Sequence, residues 1–335
     1  MHKELRCTRR GFLAAGVATG IGTLAGCALS APDKAAPVSP RAPTAPINNG
    51  PPTASAPTAS APLITKAIPS SGEWLPAIGL GTDAFHDDER PAITTELKRM
   101  NELGGTVVDT AAAYGDSEAI IGEALESLGI RDRIFLATKL VGESLTQPTG
   151  AESLARSLER LRTRRIELLQ IHNLNGVAEL LPRMQEWQQE GRIRYLGVTT
   201  SRVSQHAELA ETMRNHRLDF IQVDYSIGDR EAAETILPLA HERGVAVLVN
   251  LPFGRASLFR QAAGRALPPW AADIDVTSWA QYFLKYVISH PAVTCAIPGS
   301  TSVAHLEDNQ AAGHGRVPDA AMRRRMEEYW DAKAG

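Results

Sequence analysis

The sequence predicts an α/β fold, a (β/α)8 TIM barrel with an N-terminal β-hairpin and a C-terminal helix, over residues 64–335. Eight short apolar runs alternate along this part of the chain with amphipathic stretches of helical period. Most runs are nearly continuous Val, Ile and Leu, as in parallel strands that helices cover on both faces. Eight such units favour a closed barrel over an open doubly wound sheet, and no run is followed by a Gly-x-Gly-x-x-Gly loop.

The predicted elements follow one another in a regular order. A hairpin comes first, from residues 64–69 and 73–76 around Ser70-Ser71-Gly72, and we expect it to plug the floor of the barrel. The predicted strands are residues 77–82, 106–111, 134–139, 166–173, 193–200, 218–226, 245–252 and 294–300. The helical segments include residues 117–128, 151–161, 177–190, 203–215 and 277–289. Several segments end at a glycine, which suits a left-handed C-cap: Gly104, Gly129, Gly191 and Gly244.

Composition excludes several classes of protein. The 335 residues carry a formal net charge of −3, and 43% of them are hydrophobic. A chain of this composition buries a large core, and it lacks the clustered basic charge that nucleic-acid binding requires. Cys7, Cys27 and Cys295 are too few and too scattered for a disulfide framework or a structural zinc site. We therefore expect neither a nucleic-acid partner nor a bound metal.

The first 26 residues have the features of an export signal. Arg6 precedes a short apolar stretch, residues 11–26, and Thr8-Arg9-Arg10-Gly11-Phe12-Leu13 resembles a twin-arginine motif. Leu24-Ala25-Gly26-Cys27 resembles a bacterial lipobox, in which the cysteine is acylated and becomes the first mature residue. These motifs predict export by the twin-arginine machinery and a membrane anchor at lipidated Cys27, in the periplasm or at the cell surface. An ordinary apolar N-terminal helix with a chance cysteine is the alternative.

Residues 27–63 form a predicted disordered tether. This segment is rich in Pro, Ala, Ser and Thr, and the block at residues 53–57 repeats at once at residues 58–62. Such a composition buries too little apolar surface to offset the conformational entropy of an ordered chain. The sequence thus divides into a signal (1–26), a tether (27–63) and a barrel domain (64–335).

Three successive predicted strands each have a titratable residue near their carboxyl end. Asp109, Lys139 and His172 end these strands, and Tyr114 lies one short turn after Asp109. Each residue alone has an ordinary structural explanation, but the carboxyl ends of barrel strands meet at one mouth, where the active sites of such folds lie. The coincidence therefore predicts a catalytic cluster.

These four residues suit a general acid. A free phenol has a pKa of about 10, and a nearby ammonium stabilises the phenolate and lowers that pKa. We expect Asp109 to keep Lys139 charged, Lys139 to act on Tyr114, and a neutral His172 to orient a carbonyl oxygen. Because none of these groups supplies electrons, the cluster implies a separate hydride donor.

The motifs of the barrel resemble those of the aldo-keto reductase family. They are Gly79-Leu80-Gly81-Thr82, Asp109-Thr110 with Tyr114-Gly115, Lys139, His172, Gln222 and Ile297-Pro298-Gly299-Ser300. The resemblance runs from about residue 63 to the C-terminus and keeps the motif order. It implies a (β/α)8 barrel that binds NADPH across its mouth and reduces a small-molecule carbonyl substrate. It also implies that Asp109, Tyr114, Lys139 and His172 are the catalytic residues.

The resemblance extends to the nicotinamide end of the cofactor site, with substitutions. Gly81 and Thr82 match a cofactor contact of the first strand, and Gln222 matches a glutamine that binds the carboxamide. Thr199-Thr200 replaces the usual Ser-Asn pair. Asn250 stands where an aromatic residue usually stacks on the nicotinamide ring.

The adenosine end is also altered. Ser300, Asp308 and Asn309 match the adenosine-binding segment, but His305 replaces an arginine and Gly299 a frequent lysine. Both absent cations would pair with the 2′-phosphate of NADPH, so NADPH is expected from the family pattern and NADH is the alternative cofactor. These substitutions also leave a second functional hypothesis open, that of a lipid-anchored binding protein with a reductase-like barrel and little or no turnover.

Overall fold

The computed structural model describes residues 61–86, 89–141 and 150–332. Strands β1 (Thr65–Ala67) and β2 (Trp74–Pro76) form an antiparallel hairpin, in which Lys66 pairs with Leu75. Gly72, with φ of 76°, lies in the connecting turn, where a left-handed residue is required. The hairpin predicted from residues 64–76 is therefore present.

Eight parallel strands follow the hairpin, and each pairs with its neighbours in chain order. They are β3 (Leu80–Gly81), β4 (Val107–Asp109), β5 (Phe135–Leu140), β6 (Ile166–Ile171), β7 (Ile193–Thr199), β8 (Phe220–Asp224), β9 (Ala246–Asn250) and β10 (Cys295–Ala296). Backbone bridges of Ile78 to Ala296 and of Gly81 to Gly299 join the first strand region to the last. A Cβ atom at Gly81 would lie 2.8 Å from the Ile297 carbonyl oxygen, so closure at this point requires glycine. The predicted (β/α)8 barrel is confirmed.

Ten α-helices of the described residues surround or flank the barrel. They are α1 (Arg90–Glu102), α2 (Ser117–Leu128), α3 (Gly150–Arg160), α4 (Val177–Gln189), α5 (His206–Asn215), α6 (Ile236–Glu242), α7 (Ser257–Ala262), α8 (Trp279–Ile288), α9 (Val303–Ala311) and α10 (Ala320–Asp331). Side chains cap two of them: Ser278 accepts a hydrogen bond from the Gln281 N–H, and Asp319 accepts one from the Met322 N–H. No helix within the described ranges is both long and apolar enough to cross a membrane.

The hairpin fills the lower part of the barrel interior. Ile68 and Leu75 are buried in one apolar cluster with the inward side chains of the strands, among them Phe135 and Phe220. Cys295 belongs to the same cluster and is a buried free thiol, as expected of a small core residue. A larger cluster fills the space between strands and helices. Because the hairpin closes the floor of the barrel, a binding site can open only at the carboxyl ends of the strands.

The last two residues of the predicted tether have backbone partners in the barrel domain. The Pro62 carbonyl accepts a hydrogen bond of 2.9 Å from the Gly315 N–H, and Leu63 bridges to His314. The backbone of residues 62 and 63 therefore has partners in the segment that follows α9, and the boundary at residue 64 stays a prediction. The rest of the tether and the predicted signal with Cys27 lie outside the described residues.

Candidate active site

A cavity of about 940 Å³ lies at the carboxyl ends of the strands, within the size range of small-molecule sites. Most of the predicted site residues line it: Gly81, Thr82, Asp109, Tyr114, His172, Thr199, Gln222, Asn250, His305, Asp308 and Asn309. Lys139, Thr200 and Ser300 are buried and are not among the residues that line it. The structure thus brings residues of widely separated strands to one mouth.

The innermost feature of this site is a buried ion pair. Lys139 Nζ donates to Asp109 Oδ2 at 2.5 Å and to the Thr110 carbonyl oxygen at 2.8 Å. Burial alone would lower the pKa of Lys139, but the charge of Asp109 and the contact with Tyr114 outweigh it, and the pKa is raised. Lys139 is therefore a fixed cation beneath the cavity, as the sequence predicts.

Two glutamines hold the other oxygen of Asp109. Gln222 Nε2 donates to Asp109 Oδ1 at 2.9 Å, and Gln170 Nε2 donates to the same oxygen at 3.1 Å. Gln170 was not among the predicted residues. It lies in β6, two positions before His172, which directly follows the strand. The signal available in the sequence was this spacing, because the predicted strand over residues 166–173 would have put both side chains on one face.

Tyr114 lies next to this ion pair, with Lys139 Nζ 4.9 Å from the centre of its ring. Burial raises the pKa of Tyr114, and the nearby Lys139 only partly offsets that effect. The sequence analysis expected Lys139 to lower the pKa of Tyr114, and this is wrong for the overall shift. Lys139 does act in that direction, but removal of the phenol from water has the larger effect. Tyr114 is therefore protonated near neutral pH, and the raised pKa makes it a weaker acid than a phenol in water.

His172 meets Tyr114 edge to face, with ring centres 5.8 Å apart and planes at 82°. Burial and the charge of Lys139 lower the pKa of His172 to about 4, so its imidazole is neutral near neutral pH, as predicted. The next residue, Asn173, has a left-handed backbone with φ of 52°, and its N–H donates to Thr199 Oγ1 at 3.0 Å. Thr199 thus supports the turn that follows His172.

Polar side chains at the nicotinamide end of the predicted site bind one another. Asn250 Nδ2 donates to the Thr200 carbonyl oxygen at 2.9 Å and lies 3.4 Å from Gln222 Oε1. The hydroxyl of Thr200 donates to Gln205 at 2.8 Å and is not aimed at the cavity. Asn250 Oδ1 is buried and has no partner among the described residues. A carboxamide N–H is a group that this oxygen would accept.

The loop after β9 forms a wall that sequence reasoning missed. Arg255 and Ala256 line the cavity, and their φ angles of 52° and 63° are unusual for residues other than glycine. Arg255 brings a cation to the cavity, and such strained loops gather at ligand sites. The signal available in the sequence was its position directly after a predicted strand.

The adenosine end of the predicted site is held by α8 and α9. The carboxylate of Asp308 accepts hydrogen bonds from Ser278 at 2.7 Å and Gln281 at 2.6 Å. His305 and Asn309 line the cavity, whereas the hydroxyl of Ser300 donates to a buried carboxylate on α1. Among the described residues, no cluster of three or more His, Cys, Asp or Glu could hold a metal ion.

Comparison with known proteins shows which family this sequence resembles. The sequence model of the Aldo/keto reductase family matches residues 77–330. Methylglyoxal reductase YeaE of Escherichia coli is 31% identical over 254 residues, which cover 73% of this chain and 88% of that protein. Aldo-keto reductase str7 of Strobilurus tenacellus is 30% identical over 300 residues, covering 74% of this chain and 86% of that protein.

A solved structure of an aldo-keto reductase is also similar to this chain. The crystal structure of an aldo-keto reductase from Klebsiella pneumoniae in complex with NADPH matches with a TM-score of 0.69 and 26% identity. The match covers 80% of this chain and 95% of that one. This chain therefore belongs to the aldo/keto reductase family of oxidoreductases.

Proposed function

We propose that the protein reduces an aldehyde or ketone to an alcohol, with a hydride from NADPH and a proton from Tyr114. The observation that carries the proposal is the contact of the Tyr114 phenol with the buried Lys139–Asp109 pair at the cavity wall. A protonated phenol beside a fixed cation is a proton donor whose conjugate base is stabilised in place.

The residues of the cluster have complementary roles in this reaction. NADPH, when bound, supplies the hydride that adds to the carbonyl carbon. Tyr114 donates its hydroxyl proton to the carbonyl oxygen, so that the products are an alcohol and a phenolate. Lys139 stabilises that phenolate, and Asp109 keeps Lys139 charged and in place. Neutral His172 orients the carbonyl oxygen beside Tyr114.

The cavity contains groups that suit a dinucleotide. Gln222 and Asn250 Oδ1, which has no partner within the described part of the chain, lie at the end next to the catalytic cluster and suit the carboxamide. Arg255 and the N-terminus of α9 offer positive charge and free N–H groups to phosphates. The relative from Klebsiella pneumoniae, crystallised with NADPH, supports the same cofactor here.

A turnover assay tests the proposed function. The purified full chain would be incubated with NADPH or NADH and a panel of aldehydes and ketones, in which methylglyoxal is included because of the E. coli relative. We expect oxidation of the reduced cofactor that depends on the carbonyl. Binding of cofactor without oxidation by any carbonyl would favour the alternative, a lipid-anchored binding protein with little or no turnover.

We also propose that the protein is exported by the twin-arginine machinery and is held at a membrane through lipidated Cys27. The proposal rests on the order of the motifs, Arg9-Arg10, then an apolar stretch, then Leu24-Ala25-Gly26-Cys27. A ligand that binds only the folded barrel stabilises it, by about 2.7 kcal/mol at a hundred times the Kd. Folding in the cytoplasm would therefore favour export of a barrel that already contains its nicotinamide cofactor.

Changing both Arg9 and Arg10 to lysine is expected to retain the folded protein in the cytoplasm, because the motif that resembles a twin-arginine signal then lacks both of its arginines. Cell fractionation measures this, with Arg6→Lys as the matched control that leaves the pair intact. Normal export of the double variant would contradict the route. Mass spectrometry of denatured protein taken from the membrane tests the cofactor: consistently empty barrels would contradict loading before export.

His305→Arg is expected to increase the affinity for NADP⁺ by about tenfold and to change the affinity for NAD⁺ little, because arginine supplies a forked cation for a phosphate. His305 lines the cavity, so the longer side chain has access to it. Calorimetric titration with each dinucleotide measures the effect. A wild-type preference for NADP⁺ of several hundredfold would contradict the idea that the missing arginine weakens selectivity.

A further inference from the structure

Arginines gather at the end of the barrel opposite the cavity. The loops that lead into β5, β6, β7, β8 and β9 are residues 129–134, 161–165, 190–192, 216–219 and 243–245. Because these neighbouring parallel strands all begin at the same end of the barrel, their five loops lie side by side there. The eight arginines of these loops form what we call the arginine face: Arg131, Arg133, Arg162, Arg164, Arg165, Arg192, Arg217 and Arg243.

Basic residues exceed acidic ones on the arginine face. Its loops contain three acids, Asp132, Glu190 and Asp219, and Glu242 at the end of α6 adds a fourth. In the sequence the arginines are spread over residues 131–243, so no single basic run is visible and only the fold brings them together. The result is a positive surface at one end of the barrel.

Half of these arginines have no acidic partner in the described part of the chain. The ion pairs of the face use the other half, Arg131, Arg162, Arg165 and Arg192. The arginines without such a pair are all exposed, and they are Arg133, Arg164, Arg217 and Arg243. Their charges are therefore available to a partner outside the protein.

The loops at the mouth of the barrel have the opposite charge balance. In the described parts of the loops that follow the eight strands, six acids outnumber three arginines. The acids are Asp83, Glu89, Asp116, Asp229, Glu231 and Glu234, and the arginines are Arg202, Arg230 and Arg255. Since the charge changes sign along the barrel, an anionic surface attracts the arginine face and repels the mouth.

The chain enters the barrel domain at the same end as the arginine face. The Ala77 N–H, shortly before β3, donates to the Ile64 carbonyl oxygen at 2.9 Å. Leu63 lies beside Gly104, in the loop before β4, where an added Cβ atom would be 3.3 Å from Leu63 Cδ2. The tether predicted over residues 27–63 thus leads into the end of the barrel that carries the arginines.

We propose that the arginine face docks on the anionic lipid headgroups of the membrane that holds Cys27, with the mouth of the barrel turned away from the bilayer. This surface goes beyond the proposed reduction and takes its partner from the proposed anchor. Each basic residue near an anionic bilayer strengthens binding by about fivefold, and the effect is lost beyond a Debye length of about 8 Å. A basic patch adds to a lipid anchor a second, independent attachment.

Two double variants test the orientation of this attachment. Arg164→Glu with Arg217→Glu reverses two unpaired charges of the arginine face. Arg202→Glu with Arg260→Glu is the matched control, because both arginines are exposed and lie at the mouth end, after β7 and on α7. Every protein is full length and carries Cys27→Ser, so that no attached lipid contributes.

Cosedimentation measures binding to vesicles of phosphatidylcholine, alone or mixed with phosphatidylglycerol, at low and at physiological ionic strength. Hydrogen exchange on the mixed vesicles shows which loops the bilayer covers, and so separates the arginine face from the basic residues of the predicted signal. We expect the unaltered face to prefer the anionic vesicles at least tenfold, less so in salt, with protection of residues 129–134 and 161–165.

We expect the double variant of the arginine face to bind the anionic vesicles about a hundredfold more weakly, and the control to stay within about threefold. Equal losses in the two variants, or protection of the mouth loops instead, would overturn the proposal. Binding to a DNA duplex without binding to anionic vesicles would overturn the choice of partner. Protein from cells that has no lipid at Cys27, but whose arginine face binds these vesicles, would contradict only the anchor and support the docking surface.

Discussion

Tyr114→Phe is expected to lower the rate constant for carbonyl reduction by about 10²- to 10⁴-fold, the contribution of a positioned general acid. The ring of Tyr114 still fills the space beside Lys139 and His172 in this variant, and only the proton donor is lost. Because the proton moves in the transition state, we expect the Kd for the cofactor to stay within about threefold.

Single-turnover kinetics with pre-bound cofactor, together with calorimetric titration of the cofactor, measure the two effects separately. Tyr329→Phe is the matched control, since its hydroxyl donates to the Ala266 carbonyl oxygen and lies on α10 outside the cavity lining. Reduction of the best substrate at the wild-type rate by Tyr114→Phe would show that the catalytic assignment is wrong.

Lys139→Met is expected to abolish most activity and to destabilise the fold. The change leaves Asp109 buried without its cation, and breaking a buried pair from one side costs about 3 to 5 kcal/mol. The raised pKa of Lys139 means that its contribution to stability is fully present below the ordinary pKa of lysine, while Asp109 is ionised, and is lost as the pH rises through the folded value. Methionine cannot be charged at any pH, so raising the pH over the neutral range should not restore the variant.

Chemical denaturation measures the loss of stability in Lys139→Met, and an activity assay of the same protein measures the loss of catalysis. The double variant Lys139→Met with Asp109→Asn removes the stranded charge, so we expect it to regain part of the free energy of unfolding but not the activity. Recovery of activity in the double variant, or in the single variant at higher pH, would contradict the role of Lys139 in stabilising the phenolate.

Local sequence patterns were sufficient to predict the barrel and the convergence of the catalytic cluster. Apolar runs identify the eight strands, and parallel strands of one barrel end at the same face, so Asp109, Lys139 and His172 had to meet once the fold was known. The bounds were less accurate: the last strand, predicted over residues 294–300, is only Cys295–Ala296, and of the rest of that run only Gly299 forms an isolated bridge.

Long-range contacts and burial could not be predicted in the same way. Ser300 and Glu96 are 204 positions apart, and no periodicity within either segment indicates their pairing. Whether the pKa of Tyr114 is raised or lowered depends on how completely the barrel removes the phenol from water. Only the packed structure shows this. The left-handed backbone at Arg255 likewise arises from the packed loop, since arginine has no intrinsic preference for that conformation.

The transfer of deuterium from NADPH labelled at C4 of the nicotinamide ring to a carbonyl substrate tests the central claim most directly. The full chain would be mixed with the labelled cofactor and the most reactive carbonyl of the panel, and the product would be analysed by mass spectrometry. We predict an alcohol that carries one deuterium on the former carbonyl carbon, formed by the wild type and by Tyr329→Phe but hardly at all by Tyr114→Phe. If the wild type binds the cofactor tightly and yet transfers no deuterium to any carbonyl tested, the protein is not a carbonyl reductase.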